Sequence, residues 1–195
     1  ALFGDLAEPV LRAGKQLIVL SASQLLSRND LISLASENGG RIWVASGAML
    51  GLDALNAVNI GNIHSATIVT RKPVEGLIKA PFVTRLGIDL TALQEPMQII
   101  AGSVTEVANE FPANVNVAAA ISLAGLGADK TRMEVWADPS LTRNTHVVEV
   151  TSDSSNFSMR IENKPSPKNP ATGIITAQSV IALLRRFHST LHVGT

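Results

Sequence analysis

Cysteine and tyrosine are both absent from this chain of 195 residues, and aromatic residues make up only 4% of it. Without cysteine there is no disulfide framework and no thiolate metal site, which fits a cytoplasmic protein. Charge of one sign is lacking too: 16 basic residues cancel 16 acidic ones. That balance removes the electrostatic footprint of a nucleic-acid or anionic-membrane binder and points to a small molecule or a second copy of the chain as partner. The longest apolar runs are broken by Lys15, Asn116 or Ser122 and are too short to span a bilayer. His64, His146, His188 and His192 show no metal-ligand spacing with nearby carboxylates, so no metal is expected. Hydrolytic signatures such as G-x-S-x-G, H-E-x-x-H and the Walker loop are missing as well. The opening carries Asp5 and Glu8 where a secretory leader is basic, and it lacks an initiating Met, so it reads as the middle of something longer.

What is present is aliphatic: hydrophobic residues reach 46% and charged ones 16%, enough for a compact core. Leu2, Leu6, Val10 and Leu11 have helical spacing up to Gly14, and QLIVLS follows as a short apolar strand. Asn29-Asp30 opens a second helix closed by Gly39-Gly40, RIWVAS is another strand, and SGAMLGLDALNAV turns into a third helix. Alternating helices and strands of this kind predict a parallel, doubly wound sheet, in which ligands bind beyond the carboxyl ends of the strands. Ser46, Gly47 and Ala48 occupy that position. No G-x-G-x-x-G loop follows an opening strand, so the pattern starts inside its nucleotide-binding half.

From Asn62 the pattern changes to alternating strands, HSATIVTRK, MQIIAG, TRMEVWAD, NTHVVEVT and NFSMRIEN, interleaved with helices. In the last strand Phe157, Met159 and Ile161 share one face, and Ser158, Arg160 and Glu162 the other. The fold class expected is α/β plus α+β: a partial parallel sheet over residues 1–50, a mixed or antiparallel sheet domain backed by helices over 51–170, and a C-terminal helix and tail over 171–195 packing back on the first part. That helix is expected to begin with Asn169 as N-cap and Pro170 in the first turn. The sheet's open face suggests a self-complementary homodimer.

Polar groups stand where burial predicts apolar ones. Asn114 and Asn116 open the helix of FPANVNVAAAISLAGLG, and His146 shares a strand face with Val148 and Val150. An imidazole moves protons near neutral pH, yet a satisfied core histidine is the commoner reading. The asparagines either cap the helix or donate to a ligand at its N-terminal end. Arg71 and Lys72 end a strand and offer cations for a carboxylate, although surface charge explains either one alone. Lys164 and Lys168 flank the prolines of ENKPSPKNPATG in the same way.

SGAMLGLDAL, TRKP, FPANVNVAAAISLAGLG, ADP, RNTHVVEV, ENKPSPKNPATG and the closing VGT occur in an order and spacing that resembles the L-aspartate dehydrogenase family. The resemblance covers nearly the whole chain. It implies the carboxyl-terminal portion of a Rossmann-type domain followed by a catalytic and dimerisation domain, and an enzyme that oxidises L-aspartate to iminoaspartate with NAD or NADP, releasing oxaloacetate and ammonia. By the same resemblance His146 matches the catalytic histidine, while Ala48 and Asn116 match nucleotide contacts. The two carboxylates of aspartate call for converging cations, and Lys72 is the first candidate. Two alternatives stay open at this level: a non-catalytic dimerisation or metabolite-binding module, and a related reductase of another amino-acid pathway intermediate.

Overall fold

The computed structural model describes residues 2–112, 115–167 and 172–194. Helix α1 (Leu2–Arg12) buries Ala7 and Leu11 and ends before Gly14, whose φ of 66° stops it. Strand β1 (Gln16–Val19) and β2 (Arg41–Val44) pair in parallel, with α2 (Asn29–Glu37) as the crossover between them. Val19, Leu31 and Ala35 join the α1 residues in one small core. After β1 the chain makes a 3-10 turn, Ala22–Leu25, and after β2 a loop leads to α3 (Leu52–Val58). That helix starts later than the sequence suggests, because Gly51 at φ 71° cannot continue a helix backwards.

Five further strands form one mixed sheet in the order β4-β5-β3-β6-β7. They are β3 (Ile63–Lys72), β4 (Met97–Ser103), β5 (Arg132–Ala137), β6 (Thr145–Ser152) and β7 (Asn156–Glu162). Only β3 and β5 run parallel; the other neighbours are antiparallel. Alternation puts Ala66, Ile68, Met133, Val135, Val148, Val150 and Met159 on one face, where they meet α3, α5 (Val104–Glu110) and α6 (Asn116–Ala124) in the main core. The other face carries Arg71, Glu134, Trp136, Glu149, Arg160 and Glu162 and stays open. Helix α5 is held by a full capping box, Ser103 with Glu106.

The segment between β3 and β4 contains a short helix, α4 (Pro81–Arg85), with proline in its first turn. Five residues are too few to show a helical period, so nothing in the sequence pattern singled it out. The last helix, α7 (Ile174–Arg186), begins at Gly173 rather than at the expected Asn169 cap, which lies outside the described residues. Before it, Pro165 and Gly173 bridge and Ser166 N–H donates to the Thr172 carbonyl, so the chain folds back here on itself. Helix α7 lies over the first unit: the Trp43 and Phe187 rings meet edge to face, with centroids 4.9 Å apart. No described helix is long and apolar enough to cross a membrane.

Candidate active site

The carboxyl end of β2 opens into a cleft of about 180 Å³ whose walls bring together Ala48, Lys72, Asn116 and His146. These four come from four separate segments. The floor is built by the SGA loop: Ala45 N–H donates to the Val19 carbonyl, extending the parallel pairing, and Met49 N–H closes a turn on Ser46. Gly47, at φ 63°, then lets the chain reverse and presents Ala48 to the cleft.

Two side chains from the other part of the molecule pin this loop. Ser179 of α7 accepts from Gly47 N–H at 3.0 Å, and Asn163, just past β7, donates through Nδ2 to the Ala48 carbonyl at 3.2 Å. Asn116 is the first residue of α6, not its cap. Its Oδ1 accepts from Ser23 N–H at 3.1 Å and from the Ser23 hydroxyl at 2.8 Å. The amide oxygen therefore ties α6 to the turn after β1, and Nδ2 is the group left to donate to a ligand. Asn114 and Lys168 lie outside the described residues. Lys164 is exposed and does not line the cleft.

The opposite wall comes from the sheet. His146 of β6 pairs with Thr70 of β3, and both point to the helix-covered face. His146 is only 5% exposed. Its Nδ1 shares a 3.0 Å hydrogen bond with Thr70 Oγ1, which engages one ring nitrogen and leaves Nε2 for a reactant. Burial, with help from the neighbouring Lys72 charge, lowers the imidazole pKa to about 4, so the ring is neutral at physiological pH and can accept a proton. Lys72 lies two residues beyond Thr70 on the same face, and burial lowers its ammonium to about 8. Arg71, between them, points to the open face, where it lies 4.8 Å over the Trp136 ring and 3.5 Å from Asp138. Thr70, Asn144, Asn163 and Ser179 did not stand out in the sequence. A period-two reading of β3 against β6 would have placed Thr70 on the His146 face, but pairing it with His146 requires the register, which one sequence does not contain.

The walls suit a pyridine nucleotide. The end of a parallel strand, an αL glycine followed by a bare methyl and an amide N–H donor allow close backbone approach on one side. A neutral imidazole and an ammonium face it from the other. A strand-end crevice faced by a neutral imidazole and an ammonium is the arrangement that dehydrogenase chemistry requires.

Comparison with known proteins places it more narrowly. The family described as Aspartate dehydrogenase, C-terminal, matches residues 53–187. L-aspartate dehydrogenase of Bradyrhizobium diazoefficiens is 54% identical over 190 residues, covering 97% of this chain and 68% of that protein. L-aspartate dehydrogenase of Methanosarcina acetivorans is 42% identical, covering 95% of this chain and 69% of that protein. The crystal structure of aspartate dehydrogenase from Thermotoga maritima superposes with a TM-score of 0.80 at 27% identity, covering 99% of this chain and 74% of that one. The chain belongs to the aspartate dehydrogenase family and is an oxidoreductase that works with a pyridine nucleotide.

Proposed function

We propose that this chain carries the catalytic residues for NAD- or NADP-dependent oxidative deamination of L-aspartate to iminoaspartate, which hydrolyses to oxaloacetate and ammonia. The convergence of His146 and Lys72 on one wall and of Ala48 and Asn116 on the other carries this reading. A bound nicotinamide would supply the acceptor for the hydride lost from the substrate Cα. The protein's residues do the rest. Lys72 attracts a substrate carboxylate, a charge-assisted contact stronger than a neutral one. Neutral His146 takes a proton from the substrate amine, releases it to solvent, and is then free to take a proton from the water that attacks the imine, with Thr70 keeping the ring oriented. Asn116 donates from Nδ2, and the loop at Ala48 offers its backbone to the cofactor.

In this reading residues 1–50 belong to the nucleotide-binding part, 51–170 to the catalytic and dimerisation part, and 171–195 to a helix and tail that close over the first. The open sheet face, with Trp136 and Val147 among its charged neighbours, is the proposed homodimer contact, and the cysteine-free composition supports a cytoplasmic setting. The deciding experiment is NAD(P)H formation with aspartate, glutamate and homoserine in turn. Aspartate alone should turn over, and His146→Ala should lose at least a hundredfold in kcat with an unchanged circular dichroism spectrum, within the range for a lost general acid/base. Equal turnover of glutamate or homoserine, or an unimpaired His146→Ala, would overturn the assignment.

A further inference from the structure

Asn163 follows β7 at the sheet's edge nearest the SGA loop, where its backbone N–H still pairs with the Asn144 carbonyl at 2.9 Å. The residue is 6% exposed and forms part of the cleft wall. Its carboxamide orientation is fixed by chemistry: the partner is the Ala48 carbonyl, which can only accept, so the atom facing it is Nδ2. Oδ1 is consequently the other terminal atom, and it is buried without any hydrogen-bond partner. A buried acceptor left in that state costs about 1–3 kcal/mol, so it calls for a donor, which a bound ligand or an ordered water can supply. The space beside it is held open by Gly173, also part of the cleft wall, where a Cβ would stand only 3.3 Å from Oδ1.

Resting on the aspartate dehydrogenase reading above, we propose that Asn163 Oδ1 accepts a hydrogen bond from an N–H donor of the bound reactants, either the substrate amine or the nicotinamide carboxamide. One amide then does two things at once. Through Nδ2 it holds the loop that meets the nucleotide, and through Oδ1 it reads a nitrogen on the reactants. Lys72 and His146 cannot supply this contact in the same way: an ammonium only donates, and the imidazole is reserved for proton transfer. A carboxamide oxygen stays an acceptor at every working pH and never competes for the proton His146 must take.

The test compares ligands with and without the donor in the full-length protein, for wild type and Asn163→Ala. Aspartate is set against succinate, which keeps both carboxylates but has no amine. NAD(P) is set against its 3-acetylpyridine analogue, which replaces the carboxamide NH₂ by a methyl group. Binding is read by calorimetry and turnover by steady-state kinetics. If the substrate amine is the donor, Asn163→Ala weakens aspartate by about tenfold to a hundredfold and succinate by less than threefold. If the carboxamide is the donor, the same selective loss appears between NAD(P) and the analogue instead. An equal loss for all four ligands means that Asn163 only ties the loop or binds a water, and it overturns the proposal. Should Asn163→Ala fail to fold, Asn163→Ser keeps a hydroxyl for the Ala48 carbonyl and is judged by the same ratios. A wild-type protein that turns over no aspartate rejects the aspartate dehydrogenase reading and this inference with it, whereas an active wild type with uniform losses rejects this inference alone.

Discussion

Arg71 and Lys72 are neighbours in sequence and strangers in space. Strand alternation sends Arg71 to the open face against Trp136 and Asp138, and Lys72 into the cleft beside His146. Two adjacent cations at a strand end look like surface charge, and half of that reading is right. The buried half has a pH consequence. Lys72 is charged below about pH 8 and loses its proton above it. Attraction for the substrate carboxylate should disappear over the same range, so kcat/KM for aspartate, which reports the free enzyme, should fall on the alkaline side with a midpoint near 8. Lys72→Arg keeps its charge to far higher pH, so this alkaline limb should move outward, while Lys72→Ala should raise KM about tenfold or more even at pH 7. An alkaline limb that stays near 8 in both variants would remove Lys72 from substrate binding. His146, lowered to about 4, should leave the profile flat on the acid side until well below pH 6. The imidazole was visible in the sequence as a misfit among valines; Thr70 and Asn163 were not, because each gains its meaning from a partner on another strand or loop.

Among the elements, most strand and helix positions could be read from periodicity, and the exceptions are two helix starts. Helix α3 starts at Leu52 instead of near Ser46 because the left-handed backbone of Gly51, not a hydrophobic period, sets the boundary, whereas α7 starts at Ile174 after Gly173, whose extended backbone at φ −70° any residue could adopt. At Gly51 two demands coincide. Its φ is 71°, and a Cβ there would overlap Met159 Sδ of β7. Gly51→Ala should cost about 1–2 kcal/mol from the backbone alone, with a further loss from displacing Met159. In urea titrations Gly51→Ala combined with Met159→Ala should be less destabilised than the sum of the single variants, because the second change removes the overlap. Strict additivity would mean that the methionine moves aside without penalty. The end of the loop that carries Ala48 thus lies directly against a strand of the second sheet.

For the whole molecule, the sequence displayed two patterns, parallel α/β followed by alternating strands, and both sheets are there. The strand order was hidden: nothing in the chain announces that β3 runs parallel to β5 yet antiparallel to β6, a fact of long-range pairing. The resulting sheet has one face packed under helices and one face mixing Trp136 with arginines and glutamates. If that face is the subunit contact, size-exclusion chromatography with light scattering should return twice the chain mass, and Trp136→Glu should shift it towards monomer. A wild-type monomer at micromolar concentration would count against it. Recombination would see this molecule differently from a domain map. The loop at Gly47 and Ala48 sits in the first part of the chain, but it is fastened by Ser179 and Asn163 from the end of the last. A chimera that joins the first fifty residues of one relative to the remainder of another therefore inherits this loop and its fasteners from different parents. A crossover that keeps these contacts must carry Asn163 and Ser179 along with the loop they hold, so inheritance here follows hydrogen bonds across the cleft and not contiguity along the chain.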